Sequence, residues 1–512
     1  MASQIAGRVE VRRHRLVVAT LGFLMALGGM AQSAAPREAE IGSDFQISTM
    51  GGSDPNGYSE AGYPALAYNS TDGNYLVVWH GEEEVGSLAD DEWEIYGKVV
   101  APGSTIPAHF RVSDAGPDGD YEYEARDPNV AYNSMDNEFM VVWYAPDDAD
   151  LYDVDVYASR YTPASSTVGA DIEVSYTPDA PAPNHEKDTA EYPDIAYNPK
   201  ANEYFVVFAA TIVDTSTGNY QWEIFGRRVS NTATLLGSQI RISTMGPEPP
   251  NADFWKYSAQ YPAVAYNTVC DCYLVAWVGD TDTGLLVDDE MEIWAQRVDA
   301  TTGSLLGGNV RVSTAGTDGD ASDQIYVDAY WPDVAANPDR GEFLVVWQDD
   351  RDVDSDPDIF GQRVNSGTGS LLGSDFQISQ TPPPGSSPQY MAMSPAPVYN
   401  PVDREYLVVW HGIESKLGEG RLEIWGQRLD EYGNEIGTDD LRISNMTLDG
   451  DPEPWSRAGN NAGVAFDSQR GEYLVVWDGR FPPQQYYDDT EIFGQRLMPD
   501  KIEFIKLNSP DR

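Results

Sequence analysis

The chain has 512 residues, 41% of them hydrophobic and 11% aromatic, enough apolar mass for a folded core and far from the composition of a disordered chain. Its 83 Asp and Glu against 32 Lys and Arg give a net charge of −51, which excludes nucleic acid as a partner. After residue 33 no segment is apolar for long enough to be a membrane helix, so no transmembrane segment is expected in the mature chain.

The N-terminal stretch carries Arg8, Arg12, Arg13 and Arg15, then the apolar run Leu16 to Met30, then small residues at Ala31, Ser33, Ala34 and Ala35. That order predicts a secretory signal peptide over 1–33 and an exported protein, whether periplasmic, extracellular or on the cell surface. Removing it takes away four Arg and one Glu, leaving a still more acidic chain.

Next comes an isolated β-prone piece at 43–48, Ser43-Asp-Phe-Gln-Ile-Ser48, and then a phrase that returns along the whole chain. Its first occurrence reads Tyr63-Pro-Ala-Leu-Ala-Tyr-Asn69, Tyr75-Leu-Val-Val-Trp79, Glu94-Ile-Tyr-Gly97 and Phe110-Arg-Val-Ser113. The second part ends at Trp79, Trp143, Phe208, Trp277, Trp347, Trp410 and Trp477, at steps of 63 to 70 residues. The repeats run over about 63–113, 127–175, 192–243, 261–313, 331–379, 394–444 and 461–497.

Each repeat holds four short runs rich in Val, Ile, Tyr, Phe and Trp, separated by Gly, Pro, Asn and Asp, which is a four-stranded antiparallel meander. Asn337-Pro-Asp-Arg-Gly341 and Asn400-Pro-Val-Asp-Arg404 read as its hairpin turns. The seventh repeat ends at Glu491-Ile-Phe-Gly-Gln-Arg-Leu497 without a fourth run, whereas the orphan 43–48 matches Ser374–Ser379 of the fifth repeat letter for letter. The expected fold is therefore all-β: a seven-bladed β-propeller of four-stranded antiparallel blades over 34–497, its ring closed by the N-terminal strand. A C-terminal extension, 498–512, contains one more alternating run, Lys501 to Leu507.

The repeat AYN…YLVVW…EIFGQRV…RIS resembles bacterial secreted β-propeller repeat proteins over roughly residues 43 to 497, and the resemblance implies the fold without an activity. Asp-box propellers such as sialidases are less similar: Asp339-Arg-Gly341 keeps part of that box, and no catalytic residue carries over.

A residue present in every repeat is expected to hold a blade together, and one that differs is free to build a site. Acids open the third run of all seven repeats, at Glu94, Asp155, Glu223, Glu292, Asp358, Glu423 and Glu491. Six are followed five residues later by an arginine, Arg160, Arg228, Arg297, Arg363, Arg428 and Arg496, and each acid with its arginine reads as a structural polar lock. Cys270 and Cys272, one residue apart in a turn, are either free thiols or a local bridge.

The long loops leaving the fourth runs and those joining second to third runs fall on one face of the disk, where binding is expected. Asp118, Asp120, Asp318, Asp320, Asp449 and Asp451 form three Asp-Gly-Asp units there, with Asp280, Asp282, Asp352, Asp354 and Asp356 nearby. Hard oxygen ligands around a permissive glycine suit Ca²⁺, the one cofactor expected. Tyr121, Tyr123, Trp255, Tyr257, Tyr326, Tyr330 and Trp455 make the aromatic part of the same face, suited either to stacking on a sugar or to packing the loops down.

No nucleophile elbow, phosphate loop or zinc spacing is present, so the sequence names no catalytic residue and leans against an enzyme. The expectation is a secreted, non-enzymatic module binding a protein or carbohydrate outside the cytoplasm through its acidic loop face. Two alternatives stand beside it: a filament subunit that self-assembles by exchanging terminal strands, and a glycan-active propeller enzyme.

Overall fold

The computed structural model describes residues 41–499 except 51–59, 83–91, 102–107, 148–149, 176–188, 215–216, 218, 247–256, 282–285, 287–289, 316–327, 352–356, 380–390, 414–421, 447–458 and 481–489. The proposed signal peptide and the C-terminal run Lys501 to Leu507 lie outside them. Among the described residues no helix is long and apolar enough to cross a membrane.

Seven antiparallel sheets account for the strands. The first blade runs Ala61–Asn69, Asn74–Glu82, Trp93–Val100 and Phe110–Arg111, and the others repeat its order. In the second blade the outer strand is split into Thr167–Val168 and Ile172–Glu173. Each first strand touches the first strand of the next blade, and that of the seventh, Asn460–Asp467, touches Ala61–Asn69, so the ring closes around an axis. The second strands are buried on both sides, and their Trp79, Trp143, Trp277, Trp347 and Trp477 fill the spaces between blades. A strand buried on both faces reads as a continuous apolar run, which is why Tyr-Leu-Val-Val-Trp recurs.

The first strands end on Asn69, Asn133, Asn198, Asn267, Asn337, Asn400 and Asp467, whose side-chain oxygens accept backbone N–H bonds from the turn that follows, as Asn69 does from Thr71 (2.8 Å) and Asp72 (2.9 Å). Such local bonds fix the hairpins in their register. Cys270 and Cys272 are bridged within one of these turns.

The acids at the head of the third strands are structural, with partners other than those expected. Each accepts the hydroxyl of a serine just beyond the fourth strand: Glu94 from Ser113, Asp155 from Ser175, Glu223 from Ser243, Glu292 from Ser313, Asp358 from Ser379, Glu423 from Ser444 and Glu491 from Ser48. Each serine oxygen in turn accepts the backbone N–H of the residue after the acid, Ile95 to Ser113 at 2.7 Å for example. The arginines that meet these acids are Arg111, Arg241, Arg311 and Arg442 of the fourth strands.

The arginines five residues on in the third strand serve elsewhere. Arg228, Arg363, Arg428 and Arg496 pair with glutamates opening the second strands, Glu203, Glu342, Glu405 and Glu472, and Arg297 donates to the carbonyls of Ser366 and Gly367. Five residues along a strand is an odd number, so acid and arginine point to opposite faces and lie about 16 Å apart.

The seventh lock shows the closure. Phe45–Gln46 pairs antiparallel with Glu491–Leu497, Phe45 opposite Gly494, and Ser48 and the N–H of Met50 reach Glu491 across 443 and 441 residues of chain. The N-terminal piece thus occupies the slot that a fourth strand fills in the other six blades.

Candidate active site

Every first strand is broken by a bulge near its start. The register slips between Gly62 and Ala65, Arg126 and Asn129, Glu191 and Asp194, Gln260 and Ala263, Tyr330 and Asp333, Met393 and Ala396, and Asn460 and Gly463. At each slip one non-glycine residue holds a left-handed backbone: Tyr63, Asp127, Tyr192, Tyr261, Trp331, Ser394 and Asn461, with φ between 47° and 55°. Six of the seven precede a proline, a position that itself disfavours helical geometry of either hand. Strain repeated in this way is found where the fold aims side chains for a purpose.

What relieves that strain comes from the blade before. The residue after each core aromatic of the second strand is His80, Tyr144, Ala209, Val278, Gln348, His411 or Asp478, and four of these take the N–H of the left-handed residue of the next blade. Asp127 donates to His80 Nδ1 (3.1 Å), Ser394 to Gln348 Oε1 (3.1 Å), Asn461 to His411 Nδ1 (3.3 Å), and Tyr63 to the Asp478 carboxylate. Burial pushes His80 down to about 3 and His411 to about 4, so both are neutral imidazoles able to accept. Their place after the blade Trp is structural, as capping acceptors.

The seven bulges ring a cavity of about 540 Å³ on the axis. Because they lie within a few residues of where the first strands begin, the cavity sits toward the face carrying the long loops. One side of its wall is aromatic: Tyr192 meets Tyr261 (ring centroids 4.5 Å) and Tyr261 meets Trp331 (4.2 Å), and Tyr192 also meets Tyr144 (5.9 Å), which does not line the cavity. Tyr63 and Trp331 are 47% and 37% exposed, unusual for large rings at the centre of a disk.

The other feature of the wall is carboxylate. Asp194 is filled: its Oδ1 accepts Ile195 N–H (2.7 Å) and Asn129 Nδ2 (2.5 Å), and its Oδ2 accepts Val264 N–H (2.6 Å), tying three blades together. Asp333 holds the same position two blades on, but its neighbours differ. Where Asp194 has Asn129 behind it, Asp333 has Ala263; where Asp194 has the N–H of Val264 ahead, Asp333 has Pro397, which has none. Asp333 accepts the N–H of its own neighbour, Val334, at 2.6 Å.

The electrostatics follow from this difference. Burial, with the charge of Asp194 second, pushes Asp333 well above the usual carboxylate range and so favours its protonated form. Burial also raises Asp194, to about 7, against its three donors. Asp127 is raised only to about 6, because Arg126 and the Tyr144 hydroxyl favour its charged form. The wall therefore offers Asp333, whose protonated form burial favours, and Asp127, whose charged form Arg126 favours, beside an apolar ring surface. That combination is able to donate and accept protons around a bound polyol.

The residues singled out on the loops are placed elsewhere or undescribed. Asp118 is paired with Arg111 (2.7 Å), Asp120 accepts the N–H of Glu122 (3.2 Å), and Asp280 is fully buried at the end of its strand. Tyr123 and Tyr257 press against Gly116 and Gly246 and pack their loops down, and Tyr330 packs against the core of the fourth and fifth blades. Tyr121 is exposed. Asp282, Asp318, Asp320, Asp352, Asp354, Asp356, Asp449, Asp451, Trp255, Tyr326 and Trp455 lie outside the described residues. Among the described residues no three His, Cys, Asp or Glu are grouped to hold a metal ion.

No protein-family model matches the chain, and no curated protein matches it. Solved structures do. An α-L-arabinofuranosidase from Fusarium graminearum is 11% identical, with 90% of this chain and 99% of that one covered and a TM-score of 0.44. A Hadza microbial sialidase is 14% identical, covering 84% and 77% with a TM-score of 0.45, and the NanB sialidase from Streptococcus pneumoniae is 8% identical, covering 90% and 70% with a TM-score of 0.43. Each is named as a carbohydrate enzyme, and this corrects two expectations from the sequence, a non-enzymatic module and a leaning against an enzyme. At such identities the likeness is one of fold and assigns no residue a role, so the chemistry rests on the channel.

Proposed function

We propose that the chain is a glycan-active propeller whose active site is the axial channel. The observation that carries this reading is Asp333, a carboxyl stripped of the donors that its counterpart Asp194 enjoys and set in a cavity against Trp331 and Tyr261. In glycoside hydrolysis one carboxylic acid protonates the departing oxygen while an ionised carboxylate acts on the other side of the sugar. Asp333 gives its proton to the glycosidic oxygen as the bond to the anomeric carbon breaks. Asp127 is the ionised partner: it takes a proton from a water whose oxygen bonds to the anomeric carbon, so one carboxyl loses a proton as the other gains one. Trp331 and Tyr261 hold the apolar face of the ring. Action outside the cytoplasm is part of the reading, supported by the charged, apolar and small-residue order of residues 1–33.

A screen of aryl glycosides and oligosaccharides with purified mature protein tests it. Turnover is expected, and Asp333→Asn is expected to lower it by about 100-fold or more, the usual scale for loss of a general acid. No release from any glycan, or release that Asp333→Asn leaves intact, would sink the proposal.

A further inference from the structure

We infer that the channel selects an uncharged saccharide and rejects acidic sugars, sialic and uronic acids among them; this rests on the proposed function and narrows it. Among the described residues lining the cavity there is no Lys and no Arg. Its polar groups are Asp127, Asp194, Asp333, Asn129, Asn461 and Ser394, together with tyrosine hydroxyls, Gln348 and His411. The imidazole is neutral and already accepts a backbone N–H.

A ligand carboxylate would give up its hydration in a half-enclosed space whose described lining residues offer it no Lys or Arg, and a charge so desolvated is held only where it is paired. The cation that acts on Asp127 is Arg126, and it is engaged elsewhere: its Nε donates to Glu124 (2.6 Å) and its guanidinium lies 4.9 Å over the Trp93 ring.

An ammonium group gains little either. Asp194 is saturated by three donors, Asp127 is offset by Arg126, and burial and the field of Asp194 favour the protonated form of Asp333. What remains is hydrogen-bonding capacity without net charge beside a continuous aromatic wall. That suits hydroxyls on one edge of a sugar and C–H groups on its face.

The test is a glycan array probed with the mature chain and with Trp331→Ala. It carries matched sets: lactose against sialyllactose, xylo-oligosaccharides with and without glucuronic acid, and chitohexaose against its deacetylated form. The uncharged member of each set is expected to bind at least tenfold more tightly than its acidic or amine-bearing counterpart, with binding lost in Trp331→Ala at an unchanged melting temperature. Acidic or amine-bearing members binding as well or better, still dependent on Trp331, would overturn the inference and leave the channel as the site. Absence of any Trp331-dependent binding across the array would overturn both.

Discussion

A left-handed residue followed by proline is unfavourable twice over, and this ring tolerates such a residue six times because the preceding blade supplies an acceptor for its N–H or packs against it. Removing an acceptor should expose the cost. Gln348→Ala and His411→Ala are each expected to lose about 1 kcal/mol, since each leaves a half-buried N–H without its acceptor, and chemical denaturation measures it. Asp194 and Asp333 separate by the same reasoning. Asp194→Ala abandons three donors from three blades and is expected to lower the melting temperature by several degrees. Asp333→Asn gives up a half-buried carboxyl that accepts the N–H of Val334 and is expected to leave stability unchanged or improved while turnover falls. Parallel thermal and activity measurements on the two variants check the contrast, and stability losses of equal size would contradict it. Part of this was legible in the sequence: the residue before proline reads Tyr63, Asp127, Tyr192, Tyr261, Trp331 and Ser394 along the repeats, and a varied position within a repeat is one free to build a site. The proline and the Ala-Tyr-Asn that follow mask that variation, because they give the phrase an architectural look throughout. Equally hidden was that Ala263 and Pro397 isolate Asp333, because that depends on which blades are neighbours.

Each blade is stapled by one buried unit of acid, serine and the backbone N–H that follows the acid, from Glu94 with Ser113 to Glu491 with Ser48, and in five blades a second backbone N–H also reaches the acid. The strands themselves were readable from the alternation of Val, Ile and aromatic runs with Asn and Gly turns, and the closing strand from its identity with Ser374–Ser379. The wiring was not. Sequence proximity joined Glu223 to Arg228, whereas antiparallel pairing carries Arg241 and Ser243 to Glu223 and sends Arg228 to Glu203. Contacts across strands are invisible until the register is known. The seventh staple differs from the others only in joining the two ends of the chain. Ser48→Ala is expected to lower the melting temperature by more than Ser313→Ala, the matching change inside the fourth blade, because it loosens the ring's closure as well as a blade. Scanning calorimetry of both variants decides it, and equal shifts would argue that closure adds nothing.

At the scale of the whole molecule the acidic charge is the dominant fact, and many of its carboxyls are buried. Glu94, Asp155 and Glu292 are raised to about 7 and Asp478 to about 6, burial leading in every case. A carboxyl whose folded value lies above its unfolded one contributes stability that is complete below the unfolded range and is lost as pH rises through the folded value. The melting temperature is therefore expected to be higher at pH 6 than at pH 8. Further acid brings the opposite effect, since His80 and His411 are held neutral in the fold and their contribution is lost as pH falls below the ordinary histidine range. A melting temperature that rises steadily from pH 6 to pH 8 would contradict this balance. Seven near-identical blades place seven variable residues around one axis, and the account turns on that axis being where a glycan is held. A crystal structure of the mature protein soaked with the best neutral oligosaccharide from the array tests this most directly. Density for a sugar ring stacked on Trp331 with a hydroxyl or glycosidic oxygen at hydrogen-bond distance from Asp333 is the expected result; an empty channel with the sugar bound on the outer loops would contradict it.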